Sequence, residues 1–301
     1  MKPPAELPRL APRARHSHKH DFGRVIVIGG SGGMAGAPAL AAMAALRCGA
    51  GLVEVLVPET VAAITAGFDP CLMARGMPAG SDGCFATAAL PLIMERVAGA
   101  TAVAVGPGLG RGAAIRPLVA RLWADVLVPT VFDADALWAL APEPPPASPG
   151  RGPRLLTPHE GEMRRFTGGP PAADRAALED AAAALAAACD GVVLLKGPDT
   201  LVADGVGRWH NTTGNPGMAT GGSGDVLSGM IAGLVCQPCL YPGTTGPRRP
   251  TAVEAVRMAA WAHGRAGDIA AAAVGEVSLT ATDLLAAVPK ALTGVSGVHD
   301  R

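Results

Sequence analysis

Residues 215–229 read Asn-Pro-Gly-Met-Ala-Thr-Gly-Gly-Ser-Gly-Asp-Val-Leu-Ser-Gly, a glycine cluster with one carboxylate that runs directly into an apolar helical pattern. Glycine lets the backbone approach a ligand closely and adopt positive φ, and the first amides of a helix lack intrahelical acceptors. Gly221, Gly222, Ser223 and Gly224 can therefore turn several N–H groups toward one anion. Asp225 would repel that anion unless it had its own task. As a general base toward an alcohol, or in placing a water, it would have one; as an N-cap after a flexible turn it would have none.

Outward from this turn, strands and helices alternate. Val25 to Ile28 is a short β-branched run that stops in Gly29-Gly30-Ser31-Gly32-Gly33 and reads as a buried parallel strand. A helix is expected from Gly36 to Cys48, then a strand over Val53 to Val57. Thr101 to Val105 leads into Gly106-Pro107-Gly108-Leu109-Gly110, and a strand over Val126 to Phe132 ends at Asp133 and Asp135. Pro142 to Arg154 reads as a surface loop and Pro238 to Pro250 as an insertion. Further strands are expected at Leu155 to Thr157, Val192 to Leu195 and Leu201 to Asp204. Helices are expected near Asp174–Ala188, Asp225–Val235, Val253–Ala273 and Asp283–Val288. The pattern predicts an α/β fold, a central, mostly parallel sheet with helices on both faces. Residues 1–24 read as a disordered arm and residues 25–301 as a single catalytic domain.

Apolar residues make up 49% of the 301 residues but aromatic ones only 3%, so small aliphatic side chains must fill the core. Lysine plus arginine equals aspartate plus glutamate at 25 each. No overall field argues for nucleic acid, and no segment reads as a signal peptide or membrane anchor. Six cysteines scattered through an α/β pattern fit reduced thiols in the cytoplasm, with Cys236 and Cys239 read as structural, not redox or zinc ligands. His16, His18 and His20 read as part of the arm.

Ligands of open α/β sheets lie beyond the carboxyl ends of the strands, where the glycine runs, Asp133, Asp135, His159, Lys196 and Asp225 all fall. The run from Gly29 to Gly33 lacks the G-x-G-x-x-G spacing of a dinucleotide site. Lys196 could carry its ammonium to a phosphate at the glycine turn, or snorkel from a strand end. His159 could donate to a bound amide or phosphate, or be an interior histidine satisfied by a carbonyl. Asp133 and Asp135, two apart in an extended segment, would share a face. They could orient ribose hydroxyls or a hydrated Mg²⁺, or merely solvate the sheet edge.

Across roughly residues 25–288 the sequence resembles the NAD(P)H-hydrate dehydratase family, of ribokinase-like fold. The resemblance rests on Gly36-Ala37 with residues 45–51, Gly106 to Gly110, Asp133-Ala134-Asp135-Ala136-Leu137, Thr157-Pro158-His159-Glu160-Gly161-Glu162, Lys196-Gly197 and the stretch from Asn215 to Asp225. It implies ADP-dependent dehydration of the S epimer of NADH hydrate or NADPH hydrate, releasing AMP and phosphate. Adenine nucleotide contacts are implied at Lys196, Gly197, Pro198, Asp199, Thr200 and Gly224, and hydrated coenzyme contacts at Ala37, Gly110, His159 and Asp225. Asp225 would deprotonate the C6 hydroxyl. Mg²⁺ would offset phosphate charge, with no direct protein ligand but with Asp133 or Asp135 holding its waters. Met34 stands where the family usually has a tyrosine, and Ser223 where it has a threonine. The 24 residues before the first strand leave no room for the epimerase domain of some relatives. Dehydration alone is therefore expected, alongside a separate epimerase, in a cytoplasmic homo-oligomer that binds small molecules, without nucleic acid or membrane. A ribokinase-like small-molecule kinase and an inactive nucleotide-binding regulator are the alternatives.

Overall fold

The computed structural model describes residues 2–142, 151–167, 174–241 and 245–296. In chain order its strands are β1 Arg9–Leu10, β2 Arg24–Ile28, β3 Leu52–Pro58, β4 Met73–Met77, β5 Ala102–Val105, β6 Thr130–Phe132, β7 Arg154–Leu156, β8 Val192–Leu195, β9 Leu201–Ala203, β10 Arg208–His210 and β11 Cys239–Leu240. The helices are α1 Gly36–Arg47, α2 Glu59–Ala66, α3 Ala89–Val97, α4 Ile115–Asp125, α5 Asp135–Leu140, α6 Glu160–Thr167, α7 Arg175–Cys189, α8 Ser223–Leu234, α9 Ala252–Val274 and α10 Ala281–Thr293.

Nine strands form one sheet in the order β10-β9-β8-β7-β6-β5-β2-β3-β4. From β4 to β8 every pairing is parallel, and β9 and β10 close one edge antiparallel. Alternation along β2 divides the core into two: Val25 and Val27 pack with α1, α8, α9 and α10, and Ile26 and Ile28 with α3, α4, α6 and α7. The chain runs outward from β2 to β4 and then crosses to β5, so the strand order reverses between β2 and β5. At such a reversal the loops diverge and leave a crevice at the carboxyl ends.

Several sequence expectations need correction. The arm is not free: Arg9 and Leu10 pair with Leu240 and Cys239, and Leu7 and Phe22 are buried. The strand expected over Val126 to Phe132 is confined to Thr130–Phe132, because Pro129 has no N–H for the ladder. Arg154 does not end a loop but opens β7, buried, with its guanidinium donating to the carbonyls of Trp123, Val126 and Gly152. Of the expected Pro142–Arg154 loop, residues 143–150 lie outside the described residues, as do 242–244 of the Pro238–Pro250 insertion. The last helix extends well beyond Asp283–Val288 and carries Pro289 inside it. All six cysteines are free thiols, and burial pushes Cys236 and Cys239 up to about 12, which keeps them unreactive. Among the described residues no helix is long and apolar enough to cross a membrane.

Candidate active site

The glycine turn lies at the start of α8. Gly222 has φ of 90°, and a side chain there would meet Ala281 and Leu40, so both its backbone conformation and its surroundings require glycine. The amides of Gly221, Gly222, Gly224 and Asp225 find no acceptor among the described residues, which leaves a nest of N–H groups with the positive end of the helix behind it. Gly221 has open space above its Cα. From below, His263 of α9 holds the turn. Its Nε2 lies 2.9 Å from the Ser223 carbonyl, so that nitrogen carries the proton and donates, while burial lowers the imidazole to about 4 and keeps it neutral.

Under Gly224 sits a compact charged group. Lys196, just past β8, donates from Nζ to Asp133 Oδ1 at 2.8 Å and lies 3.6 Å from Glu162 Oε2. Ser228, one turn along α8 from Asp225, donates to the other Asp133 oxygen at 2.6 Å. A Cβ on Gly224 would lie 3.5 Å from Lys196 Nζ and 3.7 Å from Asp133 Oδ2, so both groups pack directly against the turn. Burial opposes the charge on each. For Asp133 the attraction of Lys196 and the bonds from Lys196 and Ser228 outweigh it, and the carboxyl is held below its ordinary range. For Lys196 the carboxylates of Asp133 and Glu162 likewise outweigh burial and raise it. Asp225 and Glu162 are less well compensated. Burial, then the Asp133 charge, push Asp225 up to about 7 against the pull of Lys196. Burial also raises Glu162. One ammonium thus serves three carboxylates, and Asp225 is the one poised to exchange a proton near neutrality.

The two aspartates after β6 do not share a face. Ala134 between them has φ of 48° and ψ of −119°, which rotates the chain into α5. Asp133 turns inward and is 1% exposed, so it does not solvate the sheet edge. Asp135 accepts from the Gly110 amide at 3.0 Å and from Arg111 Nε at 3.1 Å. His159 is neither interior nor bound to a carbonyl. It is exposed, and its Nδ1 accepts from the amides of Gly161 at 2.9 Å and Glu162 at 3.3 Å, while Glu162 Oε2 accepts from the His159 amide. This reciprocal cap starts α6, with the other ring nitrogen, Nε2, 3.6 Å from Glu162 Oε1.

Around the crevice, Ser31 Oγ donates to the Gly108 carbonyl at 2.9 Å, and the Gly30 amide donates to the Pro107 carbonyl. The first glycine run therefore braces the second. Gly108 has φ of 61°, and a side chain there would press on Met34 and Ala37, while one on Gly110, φ 77°, would press on Cys84 and Ser31. Met34 itself is 49% exposed. Past β8 the loop Lys196-Gly197-Pro198-Asp199-Thr200 is shaped by Thr200 Oγ1 donating to the Gly197 carbonyl at 2.9 Å, and by Arg175 Nη2 donating to the Asp199 carbonyl at 2.6 Å. Sequence reading assigned no role to Glu162, Ser228, His263 or Arg175. The capping spacing from His159 to Glu162 was a visible signal for the first; the others become neighbours of the site only through the fold.

A parallel sheet with its ligand crevice at the strand-order reversal, an amide nest at a helix start and a carboxylate poised near neutrality define a ribokinase-like enzyme. The family model described as NAD(P)H-hydrate dehydratase matches residues 25–290. The chain belongs to the NAD(P)H-hydrate dehydratase family. It is 43% identical over 289 residues to the bifunctional NAD(P)H-hydrate repair enzyme Nnr of Moorella thermoacetica, covering 96% of this chain and 52% of that protein. The Escherichia coli protein of the same name is 36% identical over 284 residues, covering 93% and 50%. The chain thus spans about half the length of the curated relatives it matches. Among solved structures, the Bacillus subtilis ADP/ATP-dependent NAD(P)H-hydrate dehydratase co-crystallized with ATP/Mg²⁺ superposes with a TM-score of 0.78 at 27% identity, covering 97% of this chain and 100% of that one. A ribokinase-like superfamily protein of Enterococcus faecalis gives a TM-score of 0.77 at 26% identity, covering 96% and 93%.

Proposed function

We propose that this chain uses ADP to dehydrate the S epimer of NADH hydrate and NADPH hydrate, restoring the coenzymes and releasing AMP and phosphate. The observation that carries the reading is the placement of Asp225, raised to about 7, at the first turn of α8 beside the amides of Gly221, Gly222 and Gly224, which meet no acceptor among the described residues. A phosphoryl group held by those amides sits next to a carboxylate that can take the proton of the attacking hydroxyl. Asp225 removes that proton from the C6 hydroxyl as the terminal phosphoryl group transfers to its oxygen. Phosphate then leaves C6 as the ring nitrogen lone pair forms a C=N⁺ bond, and loss of the C5 proton to the departing phosphate restores the C5=C6 double bond and returns the lone pair to nitrogen. The protein supplies orientation and charge neutralisation. The nucleotide lies along the Lys196–Thr200 loop, and the hydrated coenzyme along Ala37, Gly110 and His159.

The donor set also bears on Mg²⁺. Both oxygens of Asp133 are engaged, by Lys196 and Ser228, and Asp135 is engaged by Gly110 and Arg111. Among the described residues no group of three or more potential ligands is arranged to hold an ion directly. This suits a cation that keeps most of its waters and binds chiefly through phosphates. Glu162 is engaged too, by the His159 amide and Lys196, so Asp133, Asp135 or Glu162 would reach the ion only through its waters. When bound, the ion offsets phosphate charge.

We further propose that the enzyme acts in the cytoplasm with a separate epimerase that supplies the S epimer. A homo-oligomer is supported by Ile64 and Phe68, both more than half exposed on and just after α2; sedimentation equilibrium measures it. Incubation of the purified chain with hydrated NADH, Mg²⁺ and either ADP or ATP tests the reaction. Recovery of the reduced nicotinamide absorbance with stoichiometric AMP and phosphate is expected with ADP. Turnover with ATP alone overturns the nucleotide assignment, and a stable phosphorylated product without restored coenzyme replaces the reading with a small-molecule kinase.

A further inference from the structure

At the amino ends of β2, β3 and β4, on the edge of the sheet opposite the glycine turn, lies an open cleft of about 560 Å³. Its base is Glu54, 3% exposed, on which three arginines converge. Arg96 donates from Nε to Oε1 at 3.0 Å and from Nη2 to Oε2 at 2.8 Å, Arg75 donates from Nε to Oε1 at 2.9 Å, and Arg24 donates from Nη2 to Oε2. Those four bonds fill the carboxylate. Burial alone would raise Glu54, but the bonds from Arg96, Arg24 and Arg75 lower it to about 2, so it is ionised at any physiological pH.

One buried carboxylate requires one cation. Here three guanidiniums converge on a single buried carboxylate; with Glu95, whose charge also acts on Arg96, counted against them a surplus of +1 remains, and Lys19 and His20 stand on the same wall. Among the described residues that line the cleft, Glu54 is the sole carboxylate. Both Nη groups of Arg75 and the Nε of Arg24 meet no acceptor among the described residues, and Arg75 is 54% exposed. The surplus is local, because the chain as a whole carries no net charge. Planar guanidiniums with unused N–H groups, held in place by a buried anchor, are the donors that bind phosphate oxygens in pairs. Leu52, Met73 and Ala74 form an apolar side to the same cleft.

We propose that this cleft is a second anion site, separate from the nucleotide turn, that takes a small phosphorylated metabolite carrying two or more negative charges. Its phosphate oxygens bridge Arg75, Arg24 and Lys19, and its organic part lies against Leu52 and Met73. β2 is five residues long, so it separates the two sites by roughly 16 Å of strand, too far for one phosphate to serve both.

Titration calorimetry of the full chain with inorganic pyrophosphate, with and without saturating ADP, tests this. A pyrophosphate site that persists under ADP is expected, weakening as salt is raised. Arg75→Gln, on the exposed edge strand, should weaken it by about fivefold or more while leaving dehydratase turnover unchanged, with only a small fall in melting temperature because Arg96 and Arg24 still hold Glu54. Lys19→Gln should add to the loss. Inorganic phosphate should bind at least about tenfold more weakly, since it bridges fewer cations. No ADP-resistant binding, equal affinity in Arg75→Gln, or equal affinity for phosphate and pyrophosphate overturns the proposal. The Arg75→Gln comparison does not depend on the chemistry assigned to the glycine turn.

Discussion

Asp225 is the residue whose charge the fold opposes most usefully. With its carboxyl near 7, the base form is the minority below neutrality, so kcat/KM should rise about tenfold per pH unit up to about pH 7 and level off above it. Asp225→Asn should lower single-turnover chemistry by about 10² to 10⁴ while retaining nucleotide, and a loss under about tenfold would remove Asp225 from the base role. The same shift has a sign for stability. The folded carboxyl titrates above its ordinary value of 3.8, so ionised Asp225 costs stability progressively from about pH 4 to 7 and fully above. Asp225→Asn should therefore raise the melting temperature near pH 8 and leave it almost unchanged near pH 4, as calorimetric scans would read. Lys196 behaves differently from a strand-end lysine free to meet phosphate. Its charge is committed to Asp133, and Lys196→Met would strand a buried carboxylate, costing about 3–5 kcal/mol. Adding Asp133→Asn should recover part of that loss, a coupling that thermal unfolding of the double variant measures. The loss of ADP affinity in Lys196→Met should persist at high salt, because a buried pair is poorly screened. The positions of Lys196, Asp133, His159 and Asp225 were legible because each ends a strand or opens a helix, but the burial of Asp133 against Lys196 and the capping of α6 by His159 were not. Ser228 and His263 were not, since nothing local marks a serine or histidine inside an apolar helix as facing Asp133 or Ser223.

The position of Asp225 depends on how α8 lies on α1. Gly229 and Gly233 of α8 face the backbone carbonyls of Ala41 and Ala45, and a Cβ at either glycine would collide with them. Two helices without bulky side chains at their contact approach closely, and the turn at the head of α8 is set by that approach. Gly229→Ala should therefore destabilise by about 1–3 kcal/mol despite alanine being the better helix former by about 1 kcal/mol. Gly221→Ala, with nothing within 4 Å of the added carbon, should leave stability almost unchanged. Thermal melts of the two variants separate a packing role from a conformational one. Elements with long apolar patterns, α1, α7, α8 and α9, were legible in the sequence. Others carried a helical stripe that glycine and proline punctuation obscured: Ala89, Ile93 and Val97 in α3, and Ile115, Leu118, Val119 and Leu122 in α4. Edge strand β4 reads Met-Ala-Arg-Gly-Met and exposes most of its residues, so it lacks the apolar run that marks a buried strand.

At the scale of the whole molecule the arm ties distant parts of the chain together. Leu10 donates to the Val295 carbonyl, and Arg9 Nη1 donates to the Gly294 carbonyl, which joins the arm to the end of α10. β1 pairs with β11 beyond α8, Arg13 donates to the Gly49 carbonyl beyond α1, and Glu6 accepts from Trp209 Nε1 in β10. A polar, proline-bearing segment gives no periodic signal of its own, and its order comes from contacts far away in sequence. The anchor points at Gly49, Val295 and Leu240 follow the carboxyl ends of α1 and α10 and lie beyond α8, whereas the glycine turn lies at the amino end of α8. Removal of residues 1–11 strips the buried Leu7 and the β1 pairing but touches no group at Asp225, Lys196 or Glu162. Burial of one leucine side chain contributes about 1.5–3 kcal/mol, and the lost hydrogen bonds add about 1 kcal/mol each. The truncated chain should melt roughly 5–10 °C lower. Its Trp209 emission should shift as the indole loses Glu6, while the KM for ADP stays unchanged. A truncated protein with an unaltered melting temperature would mean that the arm rests on the domain without holding it, and a raised KM would mean that its contacts reach the site through α8.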